Sequence, residues 1–413
     1  MVDSGNTAWL LISTGLVMFM LPGLAFFYGG LVRRKNVLST IMHSFFGLAI
    51  VTVVWVIAGF SLAFGPSVDL PILGTGWIGN LDFALFNGVG LEPSATYATT
   101  IPFVLFAGFQ LMFAAITPAL ITGAFAERKR FASFVAFTVL WSLLIYSPLA
   151  HMVWGADGWL YKLGALDYAG GTVVHISSGV SALVAALMIG KRRKSKQGEK
   201  MEPHDVPMVV LGAGILWFGW FGFNAGSAVA ADGRAAMALM VSTVAAAAGM
   251  ISWVGVQYMR TKKVSVVGAA AGAVAGLVAI TPGSGFVGVG GALIIGLVVG
   301  GLSYTMAGIL RERLKVDDAL DVFAVHGVGG MWGAIATGIF AVAAIGGFGG
   351  LIEGNGQQLV NQLIAVAFTV GFSAAGTFVI MTVINVAFGA RVPDEHEEIG
   401  LDLAIHGEAA YQL

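Results

Sequence analysis

Charged residues punctuate this chain at long intervals. Between consecutive Asp, Glu, Lys and Arg residues it runs uncharged over 4–32, 36–68, 93–126, 131–156, 168–190, 206–231, 235–259, 264–310, 322–352 and 354–390. Each run supplies the roughly 20 apolar residues a helix needs to cross a bilayer core about 30 Å thick. The 264–310 run carries Thr281-Pro282-Gly283-Ser284-Gly285 near its middle, a string that breaks a helix, and at 47 residues it is long enough for two spans. The pattern therefore predicts eleven transmembrane helices in an all-α integral membrane protein.

The distribution of positive charge fixes the phase of that count. Arg33, Arg34 and Lys35 follow the first span, and Arg128, Lys129 and Arg130 the third. Lys191, Arg192, Arg193, Lys194, Lys196 and Lys200 follow the fifth; Arg260, Lys262 and Lys263 the seventh; Arg311, Arg313 and Lys315 the ninth; Arg391 the eleventh. With eleven spans, 19 of the 21 Lys and Arg residues share one side, leaving Lys162 and Arg234 on the other. By the positive-inside rule the N-terminus is expected outside and the C-terminus in the cytoplasm. Met1 to Asn6 has no positive n-region and the first apolar stretch outruns a signal-peptide core, so it reads as a true span. The 64–92 segment, free of Lys and Arg, is the expected external loop over a vestibule.

Composition agrees: 57% of residues are hydrophobic and 10% charged, against about a quarter charged in soluble domains. A net charge of −1 gives no pull toward nucleic acid. The absence of cysteine excludes disulfides, thiolate metal sites and cysteine nucleophiles. Gly-Lys-Ser/Thr phosphate loops, H-E-x-x-H helices, G-x-S-x-G elbows and the T-V-G-Y-G filter are missing too, which removes ATP-driven pumping, hydrolysis and a carbonyl-lined ion filter. No enzymatic role and no cofactor are expected. Glycine is 59 of 413 residues, about twice the usual ~7%, and spacings such as Gly296 with Gly300 and Gly268, Gly272 with Gly276 suit close helix packing.

Two strings point to an internal duplication. Val174-His175 through Gly179 and Val325-His326 through Gly330 share V-H-x-x-x-G, 151 residues apart. A duplicated unit of five spans inserts upside down the second time, so inverted five-helix repeats (about 1–190 and 206–345) plus an eleventh helix (about 358–389) are expected, as in transporters whose sites lie near the midplane. The membrane domain would cover 1–389, and the acidic segment 390–413 would be a docking tail.

Histidine within a span is costly unless paired or facing a cavity. His175 and His326, in symmetric context, could meet at the midplane and form a proton path, one ring donating and the other accepting; without a carboxylate or thiolate beside them they argue against a metal. His43, His151, His204, His396 and His406 read as structural. Phe109 and Phe113 share a helix face, as do Trp220, Phe223 and Ser227; such stripes are packing unless they converge, when they attract a small cation. Asp167, ahead of His175, and Asp321, ahead of His326, are either helix caps or functional acids.

The chain resembles the ammonium transporters of the Amt/Mep/Rh family along its whole length. The resemblance rests on Pro22 through Gly30, Phe109-Gln110 through Phe113, Ala150-His151-Met152-Val153-Trp154-Gly155, Gly164 through His175, Gly219 through Ser227, Asp321 through Gly327, and the tail strings Gly400-Leu401-Asp402 and His406-Gly407-Glu408. It implies that Phe109, Trp154 and Ser227 form an external ammonium recruitment site and that Phe113 and Phe223 gate the pore beneath it. It makes His175 and His326 the pore's twin histidines and Asp167 the buried acid supporting the external site, with Trp220, Asn224 and Asp321 as supporting residues. It further implies a homotrimer in the plasma or inner membrane and a docking PII signalling protein. The retained Trp154 and Ser227 look like the Amt branch. The alternatives are an ammonium sensor working through a docked partner and a neutral gas channel of the Rh type.

Overall fold

The computed structural model describes residues 1–198 and 201–411; Lys200 of the basic loop and the last two residues of the tail lie outside them. Among the described residues eleven helices are long and apolar enough to span a membrane. They are α1 (Ser4–Leu31), α2 (Arg34–Phe64), α3 (Phe103–Phe125), α4 (Phe131–Leu163), α5 (Gly171–Ile189), α6 (Val206–Ala228), α7 (Gly233–Thr261), α8 (Val266–Gly283), α9 (Val289–Arg313), α10 (Phe323–Phe340) and α11 (Gly356–Ala387). The 47-residue run divides at Thr281-Pro282-Gly283, as its composition requires. Helix α3 starts well inside its uncharged run. Pro93 and Pro102 push the residues before them out of the helical region, and Pro102 stands immediately before the first helical residue. The long loop is accordingly 65–102, anchored where the Ala156 N–H donates to the Tyr97 hydroxyl at 3.2 Å and where Trp77 packs on Trp159 with ring centres 5.5 Å apart. Helix α4 pauses after Trp154 and resumes at Trp159, so Trp154 ends the main helix and does not lie beyond it.

One face of the bundle collects the basic loops. Glu127, between α3 and α4, lies 3.1 Å from Arg33 of the α1–α2 loop and 3.2 Å from Arg192 of the α5–α6 loop; Arg192 lies 2.7 Å from Asp317 of the α9–α10 loop. Four alternate loops thus meet in one ion-pair chain, which only an alternating span order allows. The tail folds onto the same face. Its helix α12 (Asp394–Ile399) brings Glu398 within 2.5 Å of Arg193. Beyond it the Leu401 N–H donates to Asn36 Oδ1 and Asp402 Oδ1 accepts from the Ser39 N–H, both at 2.8 Å.

Glycine lets backbones touch where no side chain fits. A Cβ on Gly276 would stand 2.1 Å from the Ala245 carbonyl oxygen, and one on Gly300 2.3 Å from that of Gly249. The α7–α8–α9 cluster is therefore held by dispersion between close backbones, the force available to helices in lipid.

Helices α5 and α10 run antiparallel through the centre. A Cβ on Gly179 would fall 2.1 Å from the Gly327 nitrogen, while one on Gly330 would meet the His175 and Ile176 side chains at 3.0 Å. The glycine ending each V-H-x-x-x-G string thus receives the start of the other string. Reciprocal contact of this kind places the two helices head to tail.

Candidate functional site

The histidines sit on widened turns. Gly171–Ile176 of α5 and Phe323–Gly327 of α10 are π-helical, as is Phe221–Ala225 of α6, which carries Phe223; such insertions concentrate at functional sites. His175 and His326 face each other with Nδ1 atoms 3.2 Å apart and rings 24° from parallel. Whichever ring carries the Nδ1 proton donates to the other. Both rings are nearly inaccessible to solvent.

Asp167 connects this pair to the face opposite the basic one. Its Oδ1 accepts from the N–H groups of Gly170 and Gly171, its Oδ2 from those of Thr172 and Val173, and the Thr172 hydroxyl donates to Oδ2 as well. The carboxylate is thus the cap that α5 needs for its unsatisfied first turn. Burial pushes the Asp167 carboxyl up from its ordinary value, against the Thr172 hydroxyl and the amides, which favour its charged form. The Asp167 carbonyl accepts from the Trp154 indole N–H at 2.8 Å, so one residue fixes both the histidine helix and the tryptophan. The α8–α9 break closes the loop from behind: the Tyr168 N–H donates to the Pro282 carbonyl at 3.0 Å, and Gly171 packs on the Pro282 ring.

The aromatic residues do converge. Phe113 stands 4.9 Å from Phe109, 6.2 Å edge-on from Trp154 and 4.2 Å from Phe223 between ring centres. Phe223 in turn lies 6.0 Å from His175, and Trp220 5.4 Å. Gly226, the residue before Ser227, packs against Phe109, since a Cβ there would lie 3.0 Å from that ring. The Ser227 hydroxyl donates to the Phe223 carbonyl at 2.8 Å, which leaves its lone pairs free to accept from an N–H group. Below Phe223 lies a cavity lined by Met20, Leu24, Phe27, Ile116, Leu120, Val174, Leu216, Trp220, Val274 and the two histidines. The Trp220 N–H is already donated to Thr281 Oγ1 at 2.9 Å, so the imidazoles are the polar groups left on this wall. The cavity is small and its wall mostly apolar.

Two further residues expected to support the site lie as follows. Asn224 is buried and donates to Ser242 Oγ at 2.8 Å, tying α6 to α7. Asp321 does not cap α10. Its backbone is left-handed (φ 56°), and its carboxylate turns out to Arg311 at 2.7 Å. The cap is Asp318, whose Oδ2 accepts from the Phe323 N–H at 2.7 Å. His151 is a packing residue between Ser67 Oγ and the Ala63 carbonyl, and His204 bridges the Val32 carbonyl and the Tyr411 hydroxyl.

Comparison with known sequences decides the kinship. The family model described as "Ammonium Transporter Family" matches residues 8–411. The chain belongs to this family. An ammonium transporter of Bacillus subtilis is 48% identical over 413 residues, covering all of this chain and 99% of that one. The ammonium transporter Amt1 of Archaeoglobus fulgidus is 46% identical over 410 residues, 99% of this chain and all of that one. Among solved structures, Mep2 of Saccharomyces cerevisiae superposes with a TM-score of 0.89 at 38% identity, covering 95% of this chain and 88% of that one. A structure titled "Sensor Amt Protein" gives 0.89 at 31% identity, with 97% and 98% covered. Like the ammonium transporters it matches, the chain is a multi-pass membrane protein and not an enzyme.

Asp318 was missed from sequence, although a signal existed. The 151-residue offset that relates the histidines also relates Asp167 to Asp318, and it pairs the left-handed Gly170 with the left-handed Asp321.

Proposed function

We propose that this transporter takes up ammonium by holding the cation between Phe109, Trp154 and Ser227, stripping its water and removing one proton. Phe113 and Phe223 then part to pass neutral ammonia along the apolar cavity. Aromatic faces attract a desolvated cation by up to roughly 2 kcal/mol, and the Ser227 lone pair accepts one N–H. A fixed charge at the membrane centre costs at least about 2.5–3.5 kcal/mol, so ammonia crosses more readily than ammonium. Potassium, which has no proton to leave behind, is excluded.

The observation that carries this reading is the Nδ1 to Nδ1 contact of His175 and His326 in an otherwise apolar wall. In such a pair one ring presents a bare Nε2 and the other an Nε2–H. A proton arriving at the bare nitrogen shifts the Nδ1 proton across, and the far Nε2–H is released. The pair thereby moves charge without holding a lasting one, so transport is electrogenic. The basic face is cytoplasmic in this reading, by the positive-inside rule, and three chains assemble with one pore each in the plasma or inner membrane. The charged face and its docked tail would receive a PII-type partner.

Current on an ammonium jump in reconstituted vesicles tests the proposal. Sustained charge proportional to ammonium supports it; a brief transient alone indicates a sensor, and silence with gas permeation a neutral channel.

A further inference from the structure

The two halves of the pore are capped alike but finished differently. Asp167 and Asp318 each begin a histidine helix eight residues before the imidazole, each through a left-handed residue three positions on. At Asp167 both oxygens are engaged, because Thr172 adds its hydroxyl to the amides. The residue in Thr172's place on α10 is Phe323, which has none. Asp318 Oδ2 accepts from the Phe323 N–H, whereas its Oδ1 is buried with no hydrogen-bond partner among the described residues. Asp318 is 7% exposed. A carboxylate oxygen in that situation is costly unless it binds water or a proton.

Its surroundings lie between the cavity and the basic face. Tyr28, whose hydroxyl donates to the carbonyl of the cavity residue Leu120 at 3.0 Å, interacts electrostatically with Asp318. Gly123 seats the Tyr28 ring against Val322 of the Asp318 loop; a Cβ there would meet both at under 3 Å. On the other side Arg128 binds the Asp317 carbonyl at 2.6 Å, and Asp317 leads through Arg192 to the surface.

We propose that Asp318 is a proton-relay residue, receiving on Oδ1 the proton that the His175–His326 pair releases and passing it to the basic face. This rests on the transport reading above. The step moves one proton: an N–H bond of ammonium breaks, its electron pair staying with ammonia, and the imidazole pair takes up H⁺. The far imidazole then loses its N–H proton, Asp318 gains an O–H, and that bond breaks in turn as H⁺ leaves. Eight residues amount to at most roughly 12 Å of helix, a distance the relay requires water to bridge. The groups facing Asp318 are Tyr28 from α1, Arg128 from the α3–α4 loop and Asp321 on its own loop. Burial and then the Asp321 charge raise its carboxyl to about 7, against the amides of Phe323 and Val322 and the Arg128 charge, so it exchanges protons near neutrality.

Asp318→Asn separates relay from cap, since Asn caps a helix about as well as Asp but takes up no proton. The full chain is reconstituted in vesicles of one orientation, and current is followed as pH on the tail side is varied; the binding transient reports substrate affinity. Expected are an unchanged transient, a sustained current at least tenfold below wild type with its tail-side pH dependence gone, and partial recovery of both in Asp318→Glu. Wild-type current with the wild-type pH profile in Asp318→Asn would overturn the relay. So would joint loss of transient and current that Asp318→Glu does not recover, because that marks a cap alone. Absence of sustained current in the wild type would instead overturn the transport reading.

Discussion

The middle of the bundle and its basic face solve opposite problems with charge. Around His175 and His326 the wall is hydrocarbon and aromatic, and the polar groups are two imidazoles that meet through their Nδ1 atoms. On the basic face Glu127, 1% exposed, sits between Arg33 and Arg192, and Arg192 passes on to Asp317. Even Lys129, fully buried, has the faces of Phe125 and Phe137 4.5 and 4.9 Å from its Nζ. Burial is similar in both places. The lesson is that this protein buries charge where a counter-charge is supplied and withholds it around the histidine cavity.

The largest break in that contrast comes from the basic face. Removing one partner of a buried ion pair costs about 3–5 kcal/mol, so Glu127→Ala, which takes the counter-charge from Arg33 and leaves Arg192 with Asp317 alone, should lower the thermal midpoint in detergent sharply. A melting curve unchanged from wild type would mean the network is decorative. Next is the middle: replacing both His175 and His326 by apolar residues removes the proton path and leaves charge to cross as an ion. At a cost of about 2.5–3.5 kcal/mol, with 1.4 kcal/mol per tenfold, current should fall roughly hundredfold while the fold persists. Unchanged ammonium current with potassium still excluded would end the assigned role.

The same contrast explains what sequence could and could not reveal. Spans, their number and the basic side were legible because a charge is too costly to hide in lipid by accident, so Lys and Arg report topology directly. The histidine pair was legible because duplication copied it. Asp318 was harder to see, since Asp317, Asp318 and Asp321 lie together in one loop and only the backbone tells which one turns inward. The left-handed Asp321 sends its own side chain outward to Arg311. Nor did composition show that the Thr281–Gly285 break cradles the Asp167 loop through Pro282.

Acid should loosen the basic face before it affects the middle. Burial alone would raise the Asp317 carboxyl, but the hydrogen bonds and charge of Arg192 hold it at about 2. A carboxyl held below its unfolded value of about 3.9 contributes stability that is complete above that pH and lost as pH falls toward 2, here on the order of 2 kcal/mol. Melting should therefore decline between about pH 4 and 2, and Asp317→Asn should flatten that decline. An identical acid profile in the variant would show that Arg192 is held by Glu127 alone.

The smallest effect belongs to the entrance, where the two treatments of charge meet. Trp154 is only partly buried, so its face acts on a cation that keeps some water, and a cation–π contribution of about 0.5–1 kcal/mol is appropriate there. Trp154→Leu keeps apolar bulk while removing the ring quadrupole and the N–H that donates to the Asp167 carbonyl. If recruitment is the ring's role, the ammonium concentration for half-maximal current should rise by roughly two- to fivefold with the maximal current nearly kept. If the N–H to Asp167 matters more, the maximal current falls instead, because the loop that caps the histidine helix has shifted. Trp154→Phe distinguishes the two directly: it restores a cation-binding face without the N–H, and should recover half-saturation in the first case and nothing in the second.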